Sequence, residues 1–381
     1  MSVYSEEPEE RTLRLIAWNA RMIRHPVRRL RYLRGVMIPE SGRRRRPSRW
    51  RRLGPACGFL AGLLLPLPCG SDRLGVPRAT PKLAAAPREA TPAVWLVEMS
   101  AEFELYSNGL RVENLFAVEN RRRSWRPFAR IPGEAPGAER QDPAGIVFHS
   151  SESHLPPFEP RASKGLQRAG QNLLAYVRAN RLYHFVIDRF GRVHRIVRET
   201  DAANHAGWSV WTDRESIYVN LNDSFLAVAF EARSGPGERA DLTPAQLRSG
   251  RALVEMLRSR YGIAASNCVT HAQVSVNPGN HRVAYHTDWA SGLPFHELGL
   301  PDNYRLPPPS LLLFGFESEP APGDAGGGGF RSGIRLAELH LHREAASLGL
   351  PLDSYRAALR RRFREIVAAA EKDLAARKRN P

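Results

Sequence analysis

Through the middle of the chain the apolar positions change period several times. Residues 94–119 alternate apolar with polar and break at Ser107-Asn108-Gly109; an Asn-Gly pair between strand-like runs signals a hairpin. Residues 145–149 (GIVFH) read as a short apolar strand. Over residues 164–179, Leu166, Leu173, Leu174 and Val177 recur at helical spacing. Residues 182–188 and 193–197 flank Arg189-Phe190-Gly191-Arg192, a second hairpin, and the continuously apolar residues 225–230 read as a buried strand. Thr243-Pro244-Ala245-Gln246 then opens a helix: Thr caps, Pro fits the first turn, Gln completes a capping box, and Gly262 stops it. The succession strand, helix, three strands, helix predicts an α/β domain with a mixed central β-sheet flanked by helices.

Outside this body the pattern changes. Residues 1–71 are a basic leader whose Arg43–Arg46 run precedes an apolar stretch (GFLAGLLLPLP) and Cys69. That order is the layout of a secretory signal or lipoprotein-like segment, too short for a membrane span of roughly 20 residues. Met37 would start a leader of conventional length. Residues 72–93 form a Pro/Ala-rich tether, 94–131 a small β element, 144–296 the main domain and 297–330 a linker. Residues 331–381 form a basic helical tail, in which Leu352, Tyr355, Leu359, Phe363, Ile366, Ala370 and Leu374 make one narrow apolar seam suited to docking.

The net charge of +17 invites a nucleic-acid reading. Its distribution argues against one, because residues 1–52 carry a net +10 and residues 331–381 a net +6, leaving the body close to neutral. No aromatic-basic strip of the kind that binds single strands is present. Two of the three cysteines fall in the leader, so Cys268 stands alone in the body and no internal disulfide framework is expected there.

Candidate chemistry lies at two places. His149 ends an apolar strand, where a rigid element fixes a side chain. Between Cys268 and Phe295, His271, His281, His286 and Asp288 crowd one loop-like stretch. Catalytic zinc takes three His or carboxylate ligands and keeps a fourth position open.

GIVFHSSES, YHFVIDRFGRV, NHAGWS, NDSFLAVAFEA and THAQVSVNP followed by HTDW occur in that order. They resemble the type-2 N-acetylmuramoyl-L-alanine amidases, the zinc family that includes peptidoglycan recognition proteins and phage amidase lysozymes, over about residues 144–296. The resemblance implies Zn2+ held by His149, His271 and Asp288, with Tyr183 beside the metal's open position. It places His286 where members carry a lysine, to stabilise an oxyanion in cationic or neutral form, and His205 in the groove against substrate. Members without the tyrosine carry a catalytic glutamate where Ala229 stands here, with Glu231 two residues on as a reserve base. The stretch from His271 to Asp288 exceeds the family norm, so His281 or His286 remains an alternative to Asp288 as ligand. The implied activity is cleavage of the amide between N-acetylmuramic acid and L-alanine in peptidoglycan, by an exported, periplasmic or envelope-associated protein with possible membrane anchoring through the leader. The alternative is a module of the same fold that binds peptidoglycan or muropeptides without cutting them; no specific nucleic-acid partner is implied.

Overall fold

In a computed structural model, the described residues are 92–130, 134–235, 242–318 and 328–379. They lie within a compact unit spanning Thr80–Pro381. The leader and nearly all of the tether fall outside the described residues.

The centre is strand β5 (Gly145–Ser150), hydrogen-bonded in parallel to β10 (Phe225–Phe230) on one side and to β11 (Cys268–Thr270) on the other. Every residue of β5 and β10 is buried, as expected for parallel strands covered on both faces. Beyond β10 lie β6 (Phe185–Ile187) and β7 (Val193–Arg195), joined by the hairpin at residues 189–192. Its turn is held by Asp188, whose Oδ1 accepts the backbone N–H groups of Phe190 and Arg192, and by Gly191 at φ +80°.

The alternation of the strands divides the core into two layers. One face carries Phe148, Phe185 and Phe230, packed against Leu253, Val254 and Leu257 of helix α3 (Pro244–Tyr261). The other carries Val186 and Ala229, packed against Leu173, Leu174 and Val177 of helix α1 (Ser163–Ala179). Helix α3 begins with the reciprocal Thr243/Gln246 capping box and ends at Gly262 in the left-handed region. Gln246 also donates to the carbonyls of Ile187 and Glu231, fastening the helix start to two strand ends.

The residues expected to form a small β element leading into the main domain extend this same sheet. Strands β1 (Leu96–Met99), β2 (Phe103–Tyr106) and β3 (Arg111–Glu113) form a meander through the Ser107-Asn108-Gly109 turn, and β3 pairs in parallel with β7. The resulting eight-stranded order is β1-β2-β3-β7-β6-β10-β5-β11. β1 is the exposed edge.

Residues 297–318 are folded, where the Pro-rich composition reads as linker. Leu298, Leu300, Tyr304, Leu311, Phe314 and Phe316 are buried there, and a short helix, α5 (Pro309–Phe314), forms between the prolines and Gly315. The tail is two helices, α6 (Gly328–Ser347) and α7 (Leu352–Arg379), separated near Gly349 at φ +66°. The seam of α7 is covered by its own chain: Phe363 and Ile366 join Phe128, Val283, Leu311, Phe314, Phe316 and Ala337 in one cluster. Buried Arg356 donates to the Phe316 carbonyl and pairs with Glu338, while Arg362 reaches the carbonyls of Ala129 and Arg130. Among the described residues no helix is long and apolar enough to cross a membrane.

Candidate metal centre

Because β5 and β11 are parallel neighbours in register (Phe148 opposite Thr270), their C-terminal ends emerge side by side. His149 sits at the end of one. His271 begins the short helix α4 (His271–Val274) at the end of the other, where Thr270 and Gln273 form a second capping box. That box fixes the turn that points His271 back toward β5. The two imidazoles lie 4.5 Å apart, centroid to centroid.

Asp288 comes from the loop beyond and completes the group. Its Oδ2 lies 3.2 Å from His149 Nδ1 and its Oδ1 2.9 Å from His271 Nδ1. One ligand atom from each of the three residues falls within 4.8 Å of the others. Asp288 is held in place by its neighbour. Trp289 is fully buried at φ +55°, its N–H donates to Ser234 Oγ, and its carbonyl accepts from the Tyr304 hydroxyl. Ser234 in turn contacts Ser150 and Glu152, the residues that follow His149. Sequence reasoning passed over this bracket, in particular Trp289 and Tyr304. The signal available was the aromatic residue directly after Asp288.

The electrostatics favour a bound cation. Burial pushes the pKa of His149 down to about 4, with His271 adding to the effect, so His149 is neutral at pH 7. For Asp288, burial alone would raise the pKa, but His271 beside it holds it well below the usual carboxylate range. His149 Nε2 is engaged at 3.1 Å with His205 Nδ1, and His205 Nε2 faces the Leu221 carbonyl at 3.2 Å. A carbonyl only accepts, so the proton of His205 sits on Nε2, its Nδ1 accepts from His149, and His149 presents a bare Nδ1 lone pair to the Asp288 carboxylate. A lone pair facing a buried carboxylate is a repulsive arrangement that a divalent cation resolves. His271 Nε2 is buried with no hydrogen-bond partner, leaving that ring free to serve as ligand. The donor set of two imidazoles and one carboxylate suits zinc.

The other candidates fall around or away from this centre. Tyr183 is adjacent to His149, ring centroids 5.0 Å apart, at the strained value of φ +58°. Burial, with Asp288 close by, pushes its phenol pKa up, so the hydroxyl stays protonated. His286 stacks on His271 at 4.3 Å, and desolvation there, reinforced by His271, lowers its pKa to about 4; of the two forms allowed by the sequence, the neutral one prevails at pH 7. His281 stacks instead on Phe316 and meets Phe363 edge-on, so it belongs to the contact with the tail. Ala229 is opposite His149 on β10 and is fully buried in the apolar layer under α1. Glu231 is buried, with Oε2 accepting the Arg189 N–H and its carboxylate facing Gly170 of α1. That engagement runs counter to a role as reserve base at the metal. His205, expected to touch substrate, has both ring nitrogens occupied within the protein. Glu152 (φ +48°), Tyr183 and Trp289 are non-glycine residues in the left-handed region close to the cluster, where strain of about 1–3 kcal/mol each is held by the surrounding packing.

A family model described as N-acetylmuramoyl-L-alanine amidase matches residues 139–286, ending two residues before Asp288. No curated protein matches the chain. Among solved structures, AmiD from E. coli, in complex with the substrate anhydro-N-acetylmuramic acid-L-Ala-D-gamma-Glu-L-Lys, is 21% identical with a TM-score of 0.31, the match covering 46% of this chain and 65% of AmiD. AmpDh3 from Pseudomonas aeruginosa is 22% identical over 51% of this chain and 82% of its own, with a TM-score of 0.31. Drosophila peptidoglycan recognition protein SD is 17% identical over 38% and 79%, with a TM-score of 0.26. Residues 139–286, with His149 and His271 inside the match, are similar to the N-acetylmuramoyl-L-alanine amidase family, a likeness that spans less than half of the chain.

Proposed function

We propose that this protein is a zinc-dependent N-acetylmuramoyl-L-alanine amidase that acts on peptidoglycan or muropeptides. The observation that carries the reading is the convergence of His149, His271 and Asp288 at the ends of two parallel strands, inside a domain similar to that family. A zinc ion held there would supply Lewis acidity, to polarise an amide carbonyl and make water a competent nucleophile near neutral pH. His149, His271 and Asp288 hold the ion. Tyr183, protonated and beside His149, orients the attacking water and assists proton transfer. His286, neutral and stacked on His271, serves the oxyanion as an N–H donor and not as a full charge. The leader would export the protein to the periplasm or cell envelope, anchored by residues 1–71 or released.

Ala229 favours a second reading. With no acid or base at that position, the domain would bind peptidoglycan without cutting it. Metal analysis combined with digestion of purified cell wall separates the two. Release of free stem peptides, abolished by chelation and restored by zinc, is the expected result. With Tyr183→Phe, zinc should remain while turnover falls roughly 10²–10⁴-fold, and Glu231→Gln should stay active. Full activity of Tyr183→Phe with a dead Glu231→Gln would reverse these roles.

A further inference from the structure

The segment NHAGW is bound to the metal centre through hydrogen bonds that leave His205 nothing to offer a substrate. The side-chain oxygen of Asn222 accepts three consecutive backbone N–H groups, those of His205, Ala206 and Gly207, at 2.9, 2.8 and 2.8 Å. Three donors on one acceptor fix both the path of the loop and the place from which the His205 side chain departs. The ring then bridges two groups: Nε2 meets the Leu221 carbonyl and Nδ1 meets His149 Nε2, with the two rings nearly perpendicular at 87°. Leu221 and Asn222 are adjacent in the short helix α2 (Leu221–Ser224), directly before β10, so one turn supplies both anchors.

Building on the metal reading above, we propose that His205 is a positioning residue for the ligand His149, and that Asn222 holds His205 in that role. The Leu221 carbonyl places the proton of His205 on Nε2. His205 Nδ1 then accepts the Nε2–H of His149, and His149 is left with its lone pair on Nδ1, the atom 3.2 Å from Asp288. The device selects the ligating tautomer of His149 and fixes the rotation of its ring before any metal arrives. Outer partners of this kind change metal affinity by roughly 10–100-fold when removed.

The test uses the full-length chain and three variants, His205→Ala, His205→Gln and Asn222→Ala, each checked for folding by circular dichroism. Zinc affinity is read by competition with a chromophoric chelator, ligand geometry by the visible spectrum of the cobalt(II)-substituted protein, and kcat and KM are measured on a soluble muropeptide. His205→Ala should bind zinc roughly 10–100-fold more weakly and shift the cobalt spectrum. His205→Gln should recover most of the affinity, because its amide offers an acceptor and a donor at nearly the positions of Nδ1 and Nε2–H. Asn222→Ala should lose affinity in the same direction. Unchanged zinc affinity and cobalt spectrum in His205→Ala, with a raised KM alone, would make His205 a substrate contact and overturn the proposal. Wild-type protein that binds zinc but releases no stem peptide would sink the hydrolase reading and leave the affinity comparison valid. Wild-type protein that binds no zinc would overturn both.

Discussion

Replacing Asp288 with Asn distinguishes a metal ligand from a structural ion pair. The carboxylate is nearly buried, with 11% of its side-chain surface exposed, and its oxygens lie 3.2 and 2.9 Å from two imidazole nitrogens. If the group were a stabilising ion pair, removing one buried partner would cost about 3–5 kcal/mol. The geometry points the other way. At pH 8, His149 carries no charge, since its pKa is pushed down to about 4, and its Nδ1 offers a lone pair and not a proton to Asp288. The Asn amide can donate one N–H to that lone pair and accept from His271, converting a repulsive contact into a hydrogen bond worth about 0.5–1.5 kcal/mol net. Metal-free Asp288→Asn should therefore match or exceed the metal-free wild type, by up to about 1 kcal/mol. Zinc affinity should fall by more than the roughly 100-fold typical of outer partners. Urea unfolding in the presence of chelator at pH 8 gives the first quantity, and chelator competition the second. A metal-free Asp288→Asn protein destabilised by about 3 kcal/mol or more, with zinc binding intact, would refute the argument.

Two further outcomes follow from other parts of the structure. Phe363→Ala should destabilise the protein by about 3–5 kcal/mol, because the ring is 5% exposed and packs against Phe314 and Phe316; a loss under about 1 kcal/mol in urea unfolding would mean that α7 is not docked on the domain. The metal-free protein should also lose stability as pH falls from about 6.5 toward 4: folded His149 has its pKa lowered from 6.5 to about 4, so in that window the unfolded chain binds the extra proton. The slope of the urea midpoint against pH should be shallower in His149→Asn, and an equal slope would remove His149 as its source.

What could be read in the sequence was mostly local. The Thr243/Gln246 capping box, the Gly262 stop and the buried face of α1 depend on residues a few positions apart, and the structure carries them as expected. His149 was legible as a strand-end histidine and, with the five ordered segments, as a candidate ligand. The resemblance pointed to Asp288, but the residues by themselves left His281 and His286 open, because the choice depends on where a long loop travels. His281 is drawn to Phe316 and Phe363, residues from the segment read as a linker and from the tail, and no local pattern records that contact. The folding of residues 297–318 was hidden for the same reason. Its prolines indicate a chain that turns, and only packing against distant residues such as Val283 and Phe363 shows that the turns are buried. For Glu231, strand alternation gave the face, but not the Arg189 N–H that occupies it.

The pairing of β5 with β11 also sets when the metal site comes into being. His149 and His271 are about 120 residues apart in the chain and meet only because the two strands are neighbours. Contacts of such separation form slowly, since a long loop must close before they bring any return. Asp288 in turn depends on Trp289, which packs against Phe230 and whose carbonyl accepts from the Tyr304 hydroxyl. A zinc ion bound here would therefore find no preformed pair of ligands in the nascent chain, unlike the ion of small zinc domains, where metal binding and folding are one event. An ion bound at this site would be acquired by a chain whose strands β5 and β11 are already paired. A chain exported unfolded would thus take up its metal from the compartment in which it folds.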